Sequence, residues 1–287
     1  MNGGQMVAQI IDGKKMAAEI ADILTKQVAG VQKKPHLAVV LVGNNEASLI
    51  YVRNKQKAAE NIGMKCSVYH LDEKTSEKEL LNLLNSLNKD KGIHGIIVQM
   101  PLPEHIDSDK VLENIALEKD VDGFSPYNMG LLHSNCKHAL IPATPKAVLY
   151  MLEKTLGNIS GKHAVVIGRS NIVGRPLASL LLNNDCTVTI GHKQSVDLQK
   201  LAAQADILVS ACGVPMMVDD KWVKKGATVI DVGITRVNGK IYGDVDFAKV
   251  APKVKYLTPV PGGVGPMTVA MLLQNTWIAY EKQNHKE

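Results

Sequence analysis

Short, uninterrupted apolar runs recur along the chain, and helical patterns separate them. LAVVLVG (37–43) leads into a helical pattern that ends near Asn61, before Gly63. CSVYHL (66–71) precedes a helix near 76–90, and GIIVQM (95–100) follows until Pro101 and Pro103 stop the run. Apolar runs without polar alternation, spaced by helices, describe parallel strands covered on both faces. A second series reads HAVVIG (163–168), TVTIG (187–191), DILVSAC (206–212), ATVIDVG (227–233) and KYLTPV (255–260). Between the two, PATPKAVLYMLEK (142–154) predicts a helix with Thr144 as N-cap and Pro145 at its first position. A last helix is predicted over about 266–282, with Met267, Met271 and Trp277 as core packing rather than a ligand box. The chain therefore reads as α/β with two domains. Residues 1–143 form an N-terminal α/β catalytic domain, to which the last helix, 266–287, returns. Residues 144–265 form a Rossmann-type dinucleotide-binding domain, with a cleft between the two.

Composition narrows the partners. The 287 residues carry 33 basic and 28 acidic side chains, a net charge of +5. The lysines are scattered rather than gathered into a stripe, which argues against a nucleic-acid partner and suits anionic small molecules equally well. Cys66, Cys136, Cys186 and Cys212 lie far apart, as reduced thiols do. The spacing of His133, Cys136 and His138 matches no common zinc pattern, so no metal is expected. The first residues lack the basic start and apolar core of a signal peptide, and no run approaches the ~20 apolar residues of a membrane span. A cytoplasmic protein with no membrane partner is expected.

VVIGRSNIVGRP (165–176) joins a strand to a helix. Gly168 supplies a tight turn and Gly174 a close approach of helix to sheet, while Ser170 stands where a dinucleotide loop usually has its middle glycine. By itself this loop fits a phosphate cradle or an ordinary turn. After the next strand, where an acidic residue would hold the ribose of NAD, the chain reads His192–Lys193–Gln194. Arg169 and Lys193 suit a 2′-phosphate, and so NADP, although Lys193 is also readable as a solvated charge at a strand end.

In the first half, ASLIYVRNKQKAAENIG (47–63) puts Tyr51 and Lys55 one helical turn apart. Such a pair can flank a flat substrate, or be a snorkelling surface lysine beside a ring. Gln99 ends a strand where open α/β sheets bind ligands. DVDGF (120–124) sets Asp120 and Asp122 before Gly123 with no nearby partner to explain them, and also reads as a turn. In TPVPGGVGPMT (258–268), Pro261, Gly262 and Gly263 would let backbone approach a planar ligand, or satisfy the turn.

YVRNKQKAAENIG, GIIVQMPLP, KDVDGF, PATP, GRSNIVGRP and TPVPGGVGPMT stand in this order, and together the chain resembles the bifunctional methylenetetrahydrofolate dehydrogenase/methenyltetrahydrofolate cyclohydrolase family. The resemblance covers essentially the whole chain from about Ile10. It implies NADP-dependent oxidation of 5,10-methylenetetrahydrofolate to the methenyl cation, then hydrolysis to 10-formyltetrahydrofolate, in a homodimer. It also implies the roles of single residues. Lys55 moves protons in the hydrolysis, Gln99 bonds near it, Asp122 pairs with donor edges of the pterin, and Tyr51 stacks on the folate. Pro261, Gly262 and Gly263 would lie against the substrate. Gly168, Arg169, Ser170 and Gly174 would hold the NADP phosphates, with Lys193 near the 2′-phosphate and Ile234 beside the nicotinamide. Two departures stand out: Ala143 replaces the cysteine of a frequent P-C-T-P, and Lys193 replaces a small polar residue. Two rivals remain, another two-domain NADP dehydrogenase acting on a small hydroxy acid, and a non-catalytic folate- or NADP-binding regulator.

Overall fold

A computed structural model describes residues 7–284. In chain order the elements are β1 (Gln9–Ile10), α1 (Gly13–Ala29), β2 (His36–Val42), α2 (Glu46–Asn61), β3 (Lys65–Leu71), α3 (Glu77–Lys89) and β4 (Gly95–Val98). Then come α4 (Ser108–Glu113), α5 (Pro126–His133), α6 (Ala143–Leu156), β5 (His163–Ile167), α7 (Gly174–Leu182), β6 (Thr187–Gly191), α8 (Leu198–Ala202) and β7 (Ile207–Ser210). The chain closes with β8 (Thr228–Asp231), β9 (Thr235–Val237), β10 (Lys240–Tyr242), α9 (Phe247–Val250), β11 (Tyr256–Leu257) and α10 (Val264–Asn284). The chain is α/β throughout and divides into two compact units. One holds Ala18–Ala143 with residues 269–284, the other Thr144–Thr268 with residues 7–17.

The Ala18–Ala143 unit is built on a three-stranded parallel sheet, β3-β2-β4. Central β2 is buried from Leu37 to Val42, which is why its sequence shows no alternation. Leu80, Leu84 and Leu87 of α3 pack on Ala38, Val40, Ile96 and Val98. Ser76 and Glu79 form a capping box at the start of α3. At its end, the buried Lys119 ammonium donates to the carbonyls of Leu87, Asn88 and Asp90, at 2.7–2.9 Å. A helix C-terminus leaves such carbonyls unpaired, and a cation suits the local dipole. Asn275 of α10 donates to the carbonyls of Val121 and Ile141, joining the last helix to this unit.

The other unit carries a six-stranded sheet in the order β1-β11-β8-β7-β5-β6, parallel throughout. From β5 the chain steps outward to β6, then returns past β5 to β7. Strand order thus reverses between β5 and β7, the place where open α/β sheets bind ligands.

The structure departs from expectation in several places. Strand β1 pairs with β11 inside the dinucleotide-type unit, so the first described residues group there and not with Ala18–Ala143. Helix α6 begins at Ala143, which puts Thr144 inside the first turn, where its hydroxyl lies 3.1 Å from that of Thr268 rather than capping the helix. The β9–β10 hairpin is additional. It turns at Asn238 and Gly239, both at positive φ, as a two-residue primed turn requires. Met267 and Met271 are fully buried, as core packing demands.

Candidate functional site

In the Ala18–Ala143 unit the site is assembled from one helix, one strand end and one loop. Asn45 caps α2 by accepting from the Ser48 N–H at 3.1 Å. Ser48, Val52 and Ala59 are buried, which fixes the helix rotation. That rotation leaves Tyr51 with 41% of its surface exposed and Lys55 half-buried. The Lys55 Nζ donates to Gln99 Oε1 at 3.1 Å. Gln99 is itself fixed twice: its N–H donates to the Val40 carbonyl at 2.8 Å, and its Nε2 to the Met100 carbonyl at 2.7 Å. With the amide nitrogen tied down, the amide oxygen has one direction left, toward the lysine.

The two aspartates of DVDGF separate. Asp120 is buried and saturated, accepting from the N–H groups of Gly123, Phe124 and Ser125 and from Asn128 Nδ2. The expectation that neither aspartate has a local partner is therefore corrected for Asp120, which builds the turn. Asp122 makes no hydrogen bond among the described residues. Burial pushes its carboxyl above the usual range, with Lys55 pulling the other way and Asp120 adding to the rise. Lys55, Gln99 and Asp122 thus form one electrostatic group, with Tyr51 one turn before Lys55.

In the other unit, Gly168 and Gly174 bring loop and helix into contact. A Cβ on Gly174 would strike the Gly168 carbonyl, and one on Gly168 would strike the Ala211 carbonyl beyond β7. Ser170 Oγ accepts from the N–H groups of Val173 and Gly174, at 3.2 and 3.4 Å. It closes the turn that leads into α7 and keeps its own proton free to donate. Among the described residues, the backbone N–H groups of 169–172 find no protein acceptor, and a run of free donors before a helix suits an anion. Arg169 donates to Gln194 Oε1 at 3.2 Å. The turn after β6 is held by His192 and Ser195, which leaves Lys193 exposed beside Gln194. The nearest acid beyond that turn, Asp197, is paired with Lys200 at 2.9 Å.

Ile234 follows β8 with 46% of its surface exposed. Pro261 is exposed, whereas Gly262 and Gly263 are buried. The Gly262 carbonyl accepts from Lys14, and a side chain on Gly263 would collide with Pro259 and Thr258, so the protein's own backbone calls for glycine there. Sequence reasoning missed Asp231 and Asp244, two buried carboxylates at the ends of neighbouring segments. The D-V-D of 244–246 repeats that of 120–122 and was a usable signal. Among the described residues no group of three or more His, Cys, Asp or Glu side chains could hold a metal ion, and no helix is long and apolar enough to cross a membrane.

Comparison with known proteins covers both units. Residues 11–122 match the family model described as tetrahydrofolate dehydrogenase/cyclohydrolase, catalytic domain. Residues 142–284 match the same family's NAD(P)-binding domain. The bifunctional protein FolD of Wolbachia sp. subsp. Drosophila simulans (strain wRi) is 52% identical over 94% of each chain. The Campylobacter jejuni bifunctional FolD structure superposes with a TM-score of 0.94 at 46% identity, over 96% of this chain and 99% of that one. The Trypanosoma brucei FolD structure, a complex with NADP cofactor and inhibitor, gives 0.93 at 39% identity, over 97% and 99%.

Proposed function

This chain belongs to the tetrahydrofolate dehydrogenase/cyclohydrolase family, and from that premise we propose how its residues divide the work. The protein is a bifunctional enzyme of one-carbon folate interconversion. It oxidises 5,10-methylenetetrahydrofolate to the methenyl cation with NADP and hydrolyses that cation to 10-formyltetrahydrofolate. Neither a hydroxy-acid dehydrogenase nor a non-catalytic binder accounts for a match to both family domains.

The phosphate loop fits a dinucleotide by the chemistry of its donors: free N–H groups at 169–172, the Ser170 hydroxyl proton, and a Gly168–Gly174 contact that no side chain could share. Arg169 and Lys193 hold the 2′-phosphate, and the lack of an unpaired acid in the turn after β6 favours NADP over NAD. NADP, when bound, supplies the nicotinamide carbon that accepts hydride. The chain's part in that step is geometry, because the folate N5 and N10 lone pairs stabilise the cation that forms.

Hydrolysis needs a positioned proton carrier. The Lys55–Gln99 bond supports that role, because Gln99 is held by two main-chain contacts and so aims the lysine Nζ. In its neutral amine form Lys55 takes a proton from the water that adds, and the ammonium so formed returns it as the ring opens. Asp122, left free by the saturation of Asp120, pairs with donor edges of the pterin, and Tyr51 covers the ring. Dimerisation with a second copy and a cytoplasmic location belong to the same reading. Its test is a paired assay on wild-type protein. NADPH should form from methylenetetrahydrofolate, and added methenyltetrahydrofolate should be consumed; inactivity in both assays would sink the reading.

A further inference from the structure

Two carboxylates with no part in the scheme above lie at the ligand-binding end of the dinucleotide-type sheet. Ser210 and Asp231 are the last residues of β7 and β8 and stand opposite each other in the parallel register. Asp231 is buried, and both its oxygens accept: Oδ1 from the N–H groups of Gly233 and Asp244, Oδ2 from that of Val245, all at 2.9 Å. Asp244 has no exposed surface. Its Oδ2 accepts from Ser210 Oγ at 3.1 Å, Cys212 N at 2.8 Å, Cys212 Sγ at 3.3 Å and Gly213 N at 3.3 Å. Its Oδ1 is buried without a hydrogen-bond partner among the described residues. The packing is reciprocal, since a Cβ on Gly233 would strike the Asp244 carboxylate and one on Gly243 that of Asp231.

Together the two side chains gather five backbone N–H groups from three segments distant in sequence: Cys212–Gly213, Gly233, and Asp244–Val245. Two of these segments are the loops that leave β7 and β8 at the carboxyl end of the sheet, where ligands bind. The second loop carries Ile234, exposed just beyond Gly233. Desolvating two carboxylates side by side is costly. Burial, with the Asp244 charge adding to the rise, pushes the Asp231 carboxyl up to about 6 despite its three N–H donors. A loop could be held by neutral groups at lower cost, so the arrangement points to a demand for fixed loop geometry.

We propose that Asp231 and Asp244 are positioning residues for hydride transfer: they lock the loops after β7 and β8, and with them Ile234, into one shape without touching substrate or cofactor. The inference rests on the dehydrogenase reading given above. Misplacement of a reacting group by about 1 Å costs on the order of 100-fold in rate, so loosening these loops should lower kcat for oxidation. Gly168 rests on the Ala211 carbonyl of the first loop, but the free N–H groups of 169–172, Arg169 and Lys193 make no bond to either aspartate, so KM for NADP should change little. The cyclohydrolase residues Lys55, Gln99 and Asp122 belong to the other unit, so hydrolysis should be untouched, and an unchanged KM for NADP reports that the dinucleotide-type unit is folded.

The geometry also separates substitutions. In Asp244→Asn the amide oxygen can face all four donors, and the amide nitrogen takes the place of the unpartnered Oδ1. In Asp231→Asn this is impossible, because both oxygens accept and the new N–H₂ must face an N–H. The experiment assays both activities of the intact protein in Asp244→Ala, Asp244→Asn and Asp231→Asn. The expected result for Asp244→Ala and Asp231→Asn is a fall in dehydrogenase kcat of about 100-fold, with KM for NADP and hydrolysis within about twofold. Asp244→Asn should keep dehydrogenase kcat within about fivefold of wild type. If Asp244→Ala does not fold, the two asparagine variants decide alone. Equal dehydrogenase rates in Asp231→Asn and Asp244→Asn, or parallel loss of both activities in each, overturn the proposal while leaving the function intact. A wild type with no dehydrogenase activity removes the functional reading and this proposal with it.

Discussion

The tripeptide Asp-Val-Asp occurs twice, at 120–122 and at 244–246, once in each unit. Both valines are buried, and both first aspartates are buried and each accept four hydrogen bonds. The donors differ in origin. Those of Asp120 lie three to eight residues along the chain, whereas those of Asp244 lie 31–34 residues away. The second aspartates differ more. Asp246 caps α9 through the Lys249 N–H and pairs with the Lys249 ammonium at 2.8 Å. Asp122 has no such local donor, which suits the binding role proposed for it. Identical letters therefore serve as turn-former, loop clamp, helix cap and candidate binding group, according to the donors each carboxylate meets.

Removing the turn-former should have the largest effect. Asp120→Ala strands three backbone N–H groups and the Asn128 amide in a buried turn, and about 3–5 kcal/mol of stability should be lost in urea unfolding. Asp122→Ala should stay within about 1 kcal/mol of wild type in the same experiment yet lose folate turnover. If the two variants unfold alike, the division of labour within DVDGF is wrong.

Acid sharpens the contrast between two buried groups, His94 in one unit and Asp231 in the other, which respond in opposite senses. His94, packed on Tyr280 at 4.9 Å, accepts from the His36 N–H and has its pKa lowered from 6.5 to about 4 by burial, with His36 and Lys119 adding to the fall. Between pH 4 and 6.5 the unfolded chain therefore binds the extra proton, and stability in this term rises with pH. Asp231 is raised from 3.8 to about 6, so from pH 3.8 to 6 the folded chain binds the extra proton and stability in this term falls with pH. Each amounts to about 3 kcal/mol. Unfolding free energies across pH 4–7 should lose the rising contribution in His94→Gln and the falling one in Asp231→Asn. Unchanged slopes would contradict the assignment.

Smaller effects follow at three other groups. Arg169→Ala and Lys193→Ala should each raise KM for NADP about tenfold, and KM for NAD far less. Equal effects on both cofactors would remove the 2′-phosphate assignment. Asp246→Ala should cost about 1 kcal/mol as a lost cap, with both activities unchanged.

Much of this was legible in the chain. Buried parallel strands announce themselves as continuous apolar runs, and β2, β4, β5, β7 and β8 fall where those runs lie. The two-residue strand β1 carries too little pattern to be seen, since only pairing with β11 defines it. The β9–β10 hairpin had its Asn238–Gly239 signal, but its strands are three residues each. Lys55, Gln99 and Asp122 were singled out, yet what fixes Gln99 became visible only with its two main-chain bonds. The D-V-D repeat marked Asp244, but its donors lie 31–34 residues away, and those of Asp231 follow from strand order, which no local spacing encodes.

The central claim is that one half-buried lysine, aimed by Gln99, carries the hydrolytic chemistry while oxidation depends on geometry. The direct test is Lys55→Met, followed for NADPH formation from methylenetetrahydrofolate and for decay of added methenyltetrahydrofolate. Hydrolysis should fall by at least about 100-fold, with NADP binding unchanged. Hydrolysis at the wild-type rate would contradict the account, whatever the family of the chain.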